Sequence, residues 1–381
     1  MDDKDWLKSL TRQNLWDVVV LGAGPAGAIA ARQFALQGHR VLLVEKSHFP
    51  RFKVCGGCLG GAALDVLEDL GLGDLPNRCG GVPLQRIRLA SGGSVAEIEI
   101  GRRIAVSRQR FDAALVEEAI HSGTVLCTET TGSLHFSADL DARSVMLRRR
   151  ERAFVVRTKV VIIATGLAPC PPDFLARASP KSRIGLGAIL EHSRGYDEPG
   201  VLHMACGAEG YVGIAQVEEG RLDIAAAVNP AALAASGSAG KLVSTILSDS
   251  GLPMFADLGA ANWRGTPLLT RQTEPLGSNR CLLVGDAVKY VEPFTGEGIG
   301  WALRSAVLAC ALMNNGLDEW DRKLPDRWRK LHDQTFRRHQ RQCHLIVRLM
   351  RSKTIRRVAL WSLRRAPNLA RPIVRQLDHF R

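Results

Sequence analysis

Tyrosine is nearly missing from this 381-residue chain, which holds three beside seven Trp and eleven Phe. With so little tyrosine, no strand-like run that interleaves aromatic and basic residues, and no paired zinc-finger ligands, a nucleic-acid platform is not expected of the body despite a net charge of +13. No apolar run reaches the roughly 18 residues that a membrane-spanning helix needs. Cysteine is odd in number, nine, and scattered, so no disulfide framework is expected and the chain reads as a reduced, cytoplasmic protein. The opening MDDKDWLKSL lacks the basic-then-apolar order of a secretory leader. Acidic residues are also scarce at one end. Residues 321–381 carry 18 Lys and Arg against 4 Asp and Glu, whereas residues 1–320 carry 33 against 34. A near-neutral body therefore bears a strongly basic tail.

Asp17–Lys46 has the order of a nucleotide-binding unit. Val18–Leu21 is a short apolar run suited to a buried parallel strand. Gly22, Gly24 and Gly27 follow as G-x-G-x-x-G, then an Ala-rich helical stretch to about Gln37. Gly38 stops that helix, and His39–Val44 reads as a second strand ending in Glu45. Gly22 permits a tight turn, Gly24 lets backbone N–H groups approach a pyrophosphate, and Gly27 lets helix pack on strand. The helix N-terminus faces the phosphates, and Glu45 would accept hydrogen bonds from a ribose.

NAD and FAD use this motif alike. A second segment, Leu282–Ala306, consists of a strand, Gly285-Asp286, a loop, and a Gly-rich start to a helix near Gly298. The chain leaves the nucleotide-binding unit and returns some 260 residues later, which suits a long FAD lying across two segments. Asp286 would bind the ribityl chain, and the helix at Gly298 would aim its positive end at the flavin. Metal ligation is not expected: Cys55 and Cys58 have C-x-x-C spacing but no second pair.

GAGPAG with Glu45-Lys46, FPRFKVCGG from Phe49, SRQRFD from Ser107 and GDAVKYVEPFTGEGIG from Gly285 together resemble the geranylgeranyl-reductase-like branch of the FAD-dependent monooxygenase superfamily. That superfamily also contains aromatic hydroxylases and halogenases. The resemblance covers about residues 15–315. It implies an α/β fold: a Rossmann-type FAD-binding domain with a glutathione-reductase-like βαβ unit, and an inserted mixed β-sheet substrate domain. It also implies that Gly22, Gly24, Ala26, Gly27, Glu45 and Lys46 lie at the ADP half of FAD, with Arg108 at the cofactor backbone. Cys55-Gly56 would lie beside the flavin, Gly285-Asp286 at the ribityl chain, and Gly298-Ile299 against the ring. Three readings of the Cys55/Cys58 pair stand side by side: a zinc site, a dithiol relay to the flavin, or one thiol near the flavin with Cys58 an ordinary buried thiol. Three departures bear on the reaction, and one is that the aromatic and Phe-Pro often shown by reductases that this chain resembles are missing from the strand at Gly210–Ala215, which speaks against prenyl reduction. The Trp-x-Trp-x-Ile-Pro run of halogenases is replaced by Gly210–Ala215 without Trp, which speaks against halogenation. Lys289, where small residues or His are common, is either a surface lysine or an ammonium favouring reduced flavin.

The implied FAD-binding domain takes residues 15–75, 101–175 and 276–316. Residues 76–100 and 176–275 contain strand-like stretches, Leu84–Leu89, Ser94–Ile100, Ile184–Leu190, Tyr211–Gln216 and Arg221–Val228, and read as a sheet domain forming the substrate pocket. No second G-x-G-x-x-G is present, so electrons are expected from NAD(P)H bound transiently, a separate reductase, or an electron-transfer partner. The expected function is an FAD-dependent oxidoreductase, either a monooxygenase or a C=C reductase, on a hydrophobic or carrier-bound substrate. The alternative is electron transfer to a quinone or protein. No His-, Ser- or Asp-based catalytic constellation stands out. Residues 317–381 read as helical, continuous over Gln342–Leu363, broken at Pro367 and restarted from Asn368 as N-cap, with apolar positions through Phe380. Three expectations attach to them: packing on the body, contact with the inner face of a membrane, or docking of an acidic carrier protein.

Overall fold

In the computed structural model, residues 15–135, 141–191, 195, 196, 198–254, 256–292, 294, 296–313, 317 and 320–377 are described. The opening decapeptide and Phe380 lie outside them. The run Val18–Leu21 does become a strand, Trp16–Leu21, at the centre of a parallel sheet. Val41–Val44 pairs with it on one side and Arg152–Ile163 on the other, both parallel. Val125–Cys127 and Cys281–Leu283 extend the two flanks. Val18–Val20, Val41–Leu43 and Val160–Ile163 are fully buried. Strands so apolar need cover on both faces. The helix Pro25–Leu36 supplies part of it and packs against the helices Arg108–His121 and Gly298–Met313.

The second sheet has the order Arg264–Leu268, Ile184–Leu190, Leu222–Val228, Gly210–Gln216, Val201–Cys206, Val82–Ser91, Ser94–Ala105, Cys58–Leu59. Its neighbours are antiparallel except Val201–Cys206 with Val82–Ser91, so it is a mixed sheet. The division expected between residues 100 and 101 falls inside a strand, because Ile104 and Ala105 keep pairing with both Val82-Pro83 and Cys58-Leu59. The Cys55–Cys58 segment is thus the short crossing from the parallel to the mixed sheet. Leu175–Ala178, Arg271–Glu274 and Lys289–Tyr290 form a third, small antiparallel sheet.

The basic tail differs from its expected form. Leu324–Met350 is one helix, and the chain breaks at Arg351-Ser352 before a second helix, Lys353–Arg365. Ser352 causes the restart: its Oγ accepts the Ile355 N–H at 3.4 Å as an N-cap. Asn368 is not a cap; it lies within a 3₁₀ turn, Pro367–Ala370, that leads into Arg371–Leu377. Trp328 anchors the long helix, fully buried with its indole N–H donating to the Leu283 carbonyl at 3.0 Å. No helix among the described residues is long and apolar enough to cross a membrane, and all nine cysteines are free thiols.

Replacing Trp328 by Ala empties this anchor and leaves the Leu283 carbonyl without its donor. The expected cost is about 3–5 kcal/mol, read as a fall in Tm by calorimetry; an unchanged Tm would show that the helix is held elsewhere.

Candidate active site

The glycine loop is set by backbone contact. Gly22 has φ +96°, and a Cβ there would fall on the Ala164 carbonyl. A Cβ on Gly27 would fall on the Gly22 carbonyl oxygen, so helix Pro25–Leu36 can approach the strand only with glycine at this position. Its first turn has no side-chain cap, which leaves backbone donors for a ligand. Glu45, buried at the end of the second strand, accepts the Ala23 N–H at 2.9 Å and the Ser47 N–H at 3.1 Å. One carboxylate thereby fastens the glycine loop to the neighbouring strand.

Three cations gather in front of this loop. Arg108, at the start of the helix capped by Ser107, makes a bidentate pair with fully buried Asp112 at 2.6 and 2.8 Å. Arg51 pairs with the same Asp112 at 3.2 Å and lies 3.7 Å from Glu45. Burial alone would weaken the protonation of Arg108, but Asp112 more than offsets it and the guanidinium stays charged. Lys53 is exposed to the open cavity yet crowded: dehydration by its walls, then Arg108 and Arg51, hold its ammonium below its usual pKa.

Asp286 lies in a 3₁₀ turn, Gly285–Ala287, facing this group. Burial pushes its carboxyl up to about 6, against the opposing pull of Arg108, Lys53 and Arg271. Gly285 has φ +61° and packs on Ala26, so the two Gly-rich segments meet directly. Arg271 donates to the carbonyls of Gly166, Leu167 and Ala168 at 2.6, 2.9 and 3.0 Å, fixing the turn after Arg152–Ile163.

These groups form one end of a cavity of about 550 Å³ lying between the two sheets. Pro25, Lys53, Cys55, Gly56, Arg108, Asp286, Gly298 and Ile299 line that end. The walls are apolar, from Ile87, Leu89, Ile98, Leu202 and Met204 of the mixed sheet. The remaining side is lined by the basic tail, through Met350, Ala359, Leu363 and Ala370. Tyr211 reaches the cavity with a hydroxyl that finds no hydrogen-bond partner among the described residues. The Cys55 thiol is held protonated, its pKa raised by burial against the pull of Arg108. Cys58 donates its thiol to the Gly56 carbonyl at 3.2 Å, and burial pushes its pKa up to about 12. Among the described residues no group of His, Cys, Asp and Glu could hold a metal ion.

The fit to FAD rests on the glycines. Gly22, Gly27 and Gly285 are glycine because protein atoms crowd them. At Gly24, Gly56 and Gly298 a Cβ would meet nothing closer than 3.7 Å. Three bare backbone positions therefore face open space, at the cation cluster, beside Cys55, and at a helix start. A pyrophosphate and a flat ring approaching the main chain would need this arrangement, and Arg51, Lys53 and Arg108 offer the phosphates charged donors.

Of the positions expected at the cofactor, all but Lys46 are brought to this region; Lys46 is exposed. Lys289 lies away from the cavity lining, half-buried, and the charges facing it are Asp333, Arg337 and Arg341 of the long helix. Arg51, Lys53 and Asp112 were passed over although they stand inside the FPRFKVCGG and SRQRFD segments; basic residues so close to a Gly-Gly turn were the available signal. Asp223 was also missed. It is a lone acid in the apolar strand Leu222–Val228, buried, with Oδ1 unpartnered and its pKa pushed well above the carboxylate range by burial and then Glu218.

Comparison with known proteins places these observations. Residues 17–221 match the family model described as FAD dependent oxidoreductase. The digeranylgeranylglycerophospholipid reductase of Methanocaldococcus jannaschii is 24% identical over 345 residues, covering 86% of this chain and 85% of that protein. The menaquinone reductase of Mycobacterium tuberculosis is 27% identical over 325 residues, covering 78% and 76%. Among solved structures, a triple mutant of the flavin-dependent brominase Bmp2 superposes with a TM-score of 0.78 at 18% identity, covering 96% of this chain and 95% of that one. At that identity the likeness is one of fold.

Two predictions follow from the geometry. Gly24→Ala should leave Tm of the FAD-free protein nearly unchanged while weakening FAD binding roughly tenfold by fluorescence titration, because its Cβ would meet protein only at van der Waals distance, Arg51 at 3.7 Å and Arg108 at 3.8 Å, and would otherwise enter the space left for the ligand. Gly27→Ala should lower Tm itself; equal behaviour of the two variants would overturn the distinction. The second concerns pH. The folded pKa of Asp286, about 6, lies above the ordinary carboxylate value of 3.8, so ionising it in the folded chain is a cost that is absent at low pH and complete once pH rises past 6. In FAD-free protein, the Tm advantage of Asp286→Asn over the natural chain should grow from pH 4 to pH 6.5 and then level off. A constant difference would mean that the carboxyl is not held up.

Proposed function

The chain belongs to the FAD dependent oxidoreductase family, and from that premise we propose that it reduces carbon–carbon double bonds of a long hydrophobic substrate held in the cavity. The observation that carries this reading is the apolar tunnel that begins at Cys55, Gly56 and Gly298 and ends under the basic tail. Its walls offer an extended hydrocarbon chain a dry path and offer a compact polar substrate almost no partners. The two relatives named as reductases of lipid and quinone support it.

FAD, when bound, supplies two-electron chemistry as hydride acceptor and donor. The chain's own residues do the rest. The uncapped helix after Gly24, with Arg51, Lys53 and Arg108, would hold the pyrophosphate. Glu45 would face the adenosine ribose, and Asp286 the ribityl chain. Gly56, Gly298 and Ile299 leave room for the ring against main chain, and the start of helix Gly298–Met313 brings a positive dipole end to that side. Saturating a C=C bond adds hydride to one carbon and a proton to the other. The Cys55 Sγ, kept protonated by burial at the flavin end of the cavity, is the proton source we assign. The apolar walls exclude water from the reacting carbons. Electrons would enter from NAD(P)H or a separate reductase protein.

Holoprotein reduced without oxygen should convert a polyprenyl-chain substrate to a product with two added hydrogens per double bond, read by mass spectrometry. Products bearing an added oxygen atom, formed only in air, would overturn the reading in favour of monooxygenation. Cys55→Ala should keep its flavin absorbance and lose turnover by roughly a hundredfold; full activity would remove the thiol from the mechanism.

A further inference from the structure

The basic tail has two apolar sides. Lys353–Arg365 turns Leu360 and Leu363 toward the body, whereas Val358 and Trp361 stand outward, each 59% exposed. Thr354, Val358, Trp361 and Arg365 recur at i, i+4, i+7 and i+11 and so form one outer stripe. Arg365 lies over the Trp361 ring, 4.0 Å from its centroid. Leu369, 60% exposed on the next turn, also lines the cavity, as do the exposed Leu349 and Ile355. Apolar residues that are at once wall and surface mark where the cavity opens, and the opening lies in the tail.

Charge decides what covers this face. From residue 334 to 377 the sequence has twelve basic side chains and no acidic one. Arg351 and Arg356 are spent on contacts inside the protein: Arg351 on Glu292 and the Lys181 carbonyl, Arg356 on Ser91 of the body and on the Met350 and Arg351 carbonyls at the break between the tail helices. Lys353, Arg357, Arg364 and Arg365 remain exposed around the stripe. An outward Trp and Val ringed by unopposed cations is the composition of a helix lying in the headgroup layer of an anionic bilayer.

We propose that Lys353–Ala370 docks on an anionic lipid surface, with Val358, Trp361 and Leu369 entering the layer and the cations on the headgroups, so that the cavity opens toward the bilayer. The docking gives the proposed hydrophobic substrate its entry route and rests on that reading for its purpose, while its geometry stands apart from it. A membrane-delivered chain would pass Leu349, Ile355 and Leu369 before reaching the flavin end, with no exposure to water.

The test is flotation of the FAD-loaded protein with phosphatidylglycerol–phosphatidylcholine vesicles and with phosphatidylcholine alone. The natural chain should float with the anionic vesicles at low salt and release as salt rises. Val358→Ser combined with Trp361→Ser should weaken that partition by roughly tenfold or more, with flavin absorbance and Tm unchanged because both side chains are mostly outside the packed structure. Natural protein that stays in solution at low salt overturns the docking. A double variant that floats equally well also overturns it, since charge alone would then explain attraction, as an acidic carrier protein would exploit. Flotation without turnover of detergent-dispersed substrate supports the docking and removes the substrate reading. Turnover of dispersed substrate without flotation does the reverse.

Discussion

The contact between Gly27 and the Gly22 carbonyl is the constraint on which the site is built. It fixes how closely helix Pro25–Leu36 lies on the central strand, and so where the uncapped first turn points. Any side chain at Gly27 would push that helix outward and carry Gly24 and Pro25 with it. It would also separate Ala26 from Gly285, a place where the returning segment rests directly on the first. A backbone approach of a few ångströms thus aligns two stretches of chain some 260 residues apart. Neither needs a side-chain hydrogen bond to the other for this.

Electrostatics then makes the aligned backbone selective. Arg51, Lys53 and Arg108 would repel one another strongly if each were free, a repulsion that adds to burial in weakening the protonation of Lys53. Asp112 prevents this by holding both arginines while wholly buried, a placement that is tolerable only because two guanidiniums saturate it. Glu45 and Asp286 bring the local balance near neutrality. A ligand bearing a pyrophosphate meets cations already oriented by carboxylates, so little reorganisation accompanies binding.

What the sequence made legible follows from how local each signal is. The glycine motif, the strands of the mixed sheet and the Gly285-Asp286 return were all readable, because each is a property of fewer than about fifteen neighbouring residues. Leu222–Val228 and Ile184–Leu190 lie within one residue of their expected bounds. The strand Ser94–Ala105 outran its expected end because pairing with Cys58-Leu59, a distant segment, extends it. Arg51 and Asp112 were invisible as partners for the same reason: 61 residues separate two halves of one ion pair. The restart at Ser352 carried a readable cap, yet the apolar rhythm on either side ran on through it and masked the break.

The tail was legible in composition and opaque in role, and the reason is instructive. A helix that is apolar all round belongs in a core, and one with a single apolar stripe rests on a body with its other face in water. Lys353–Arg365 fits neither description, since Leu360 and Leu363 face the body while Val358 and Trp361 stand outward and exposed. Periodicity separates the two stripes, since at about 100° per residue positions 358 and 361 lie on nearly the opposite face from 360 and 363, but it does not say which stripe the body takes. Only the mixed sheet, by claiming 360 and 363, reveals that the others are left over. A closing element whose inner stripe completes an apolar cavity and whose outer stripe is surrounded by uncompensated cations joins the chamber to its surroundings through one and the same helix.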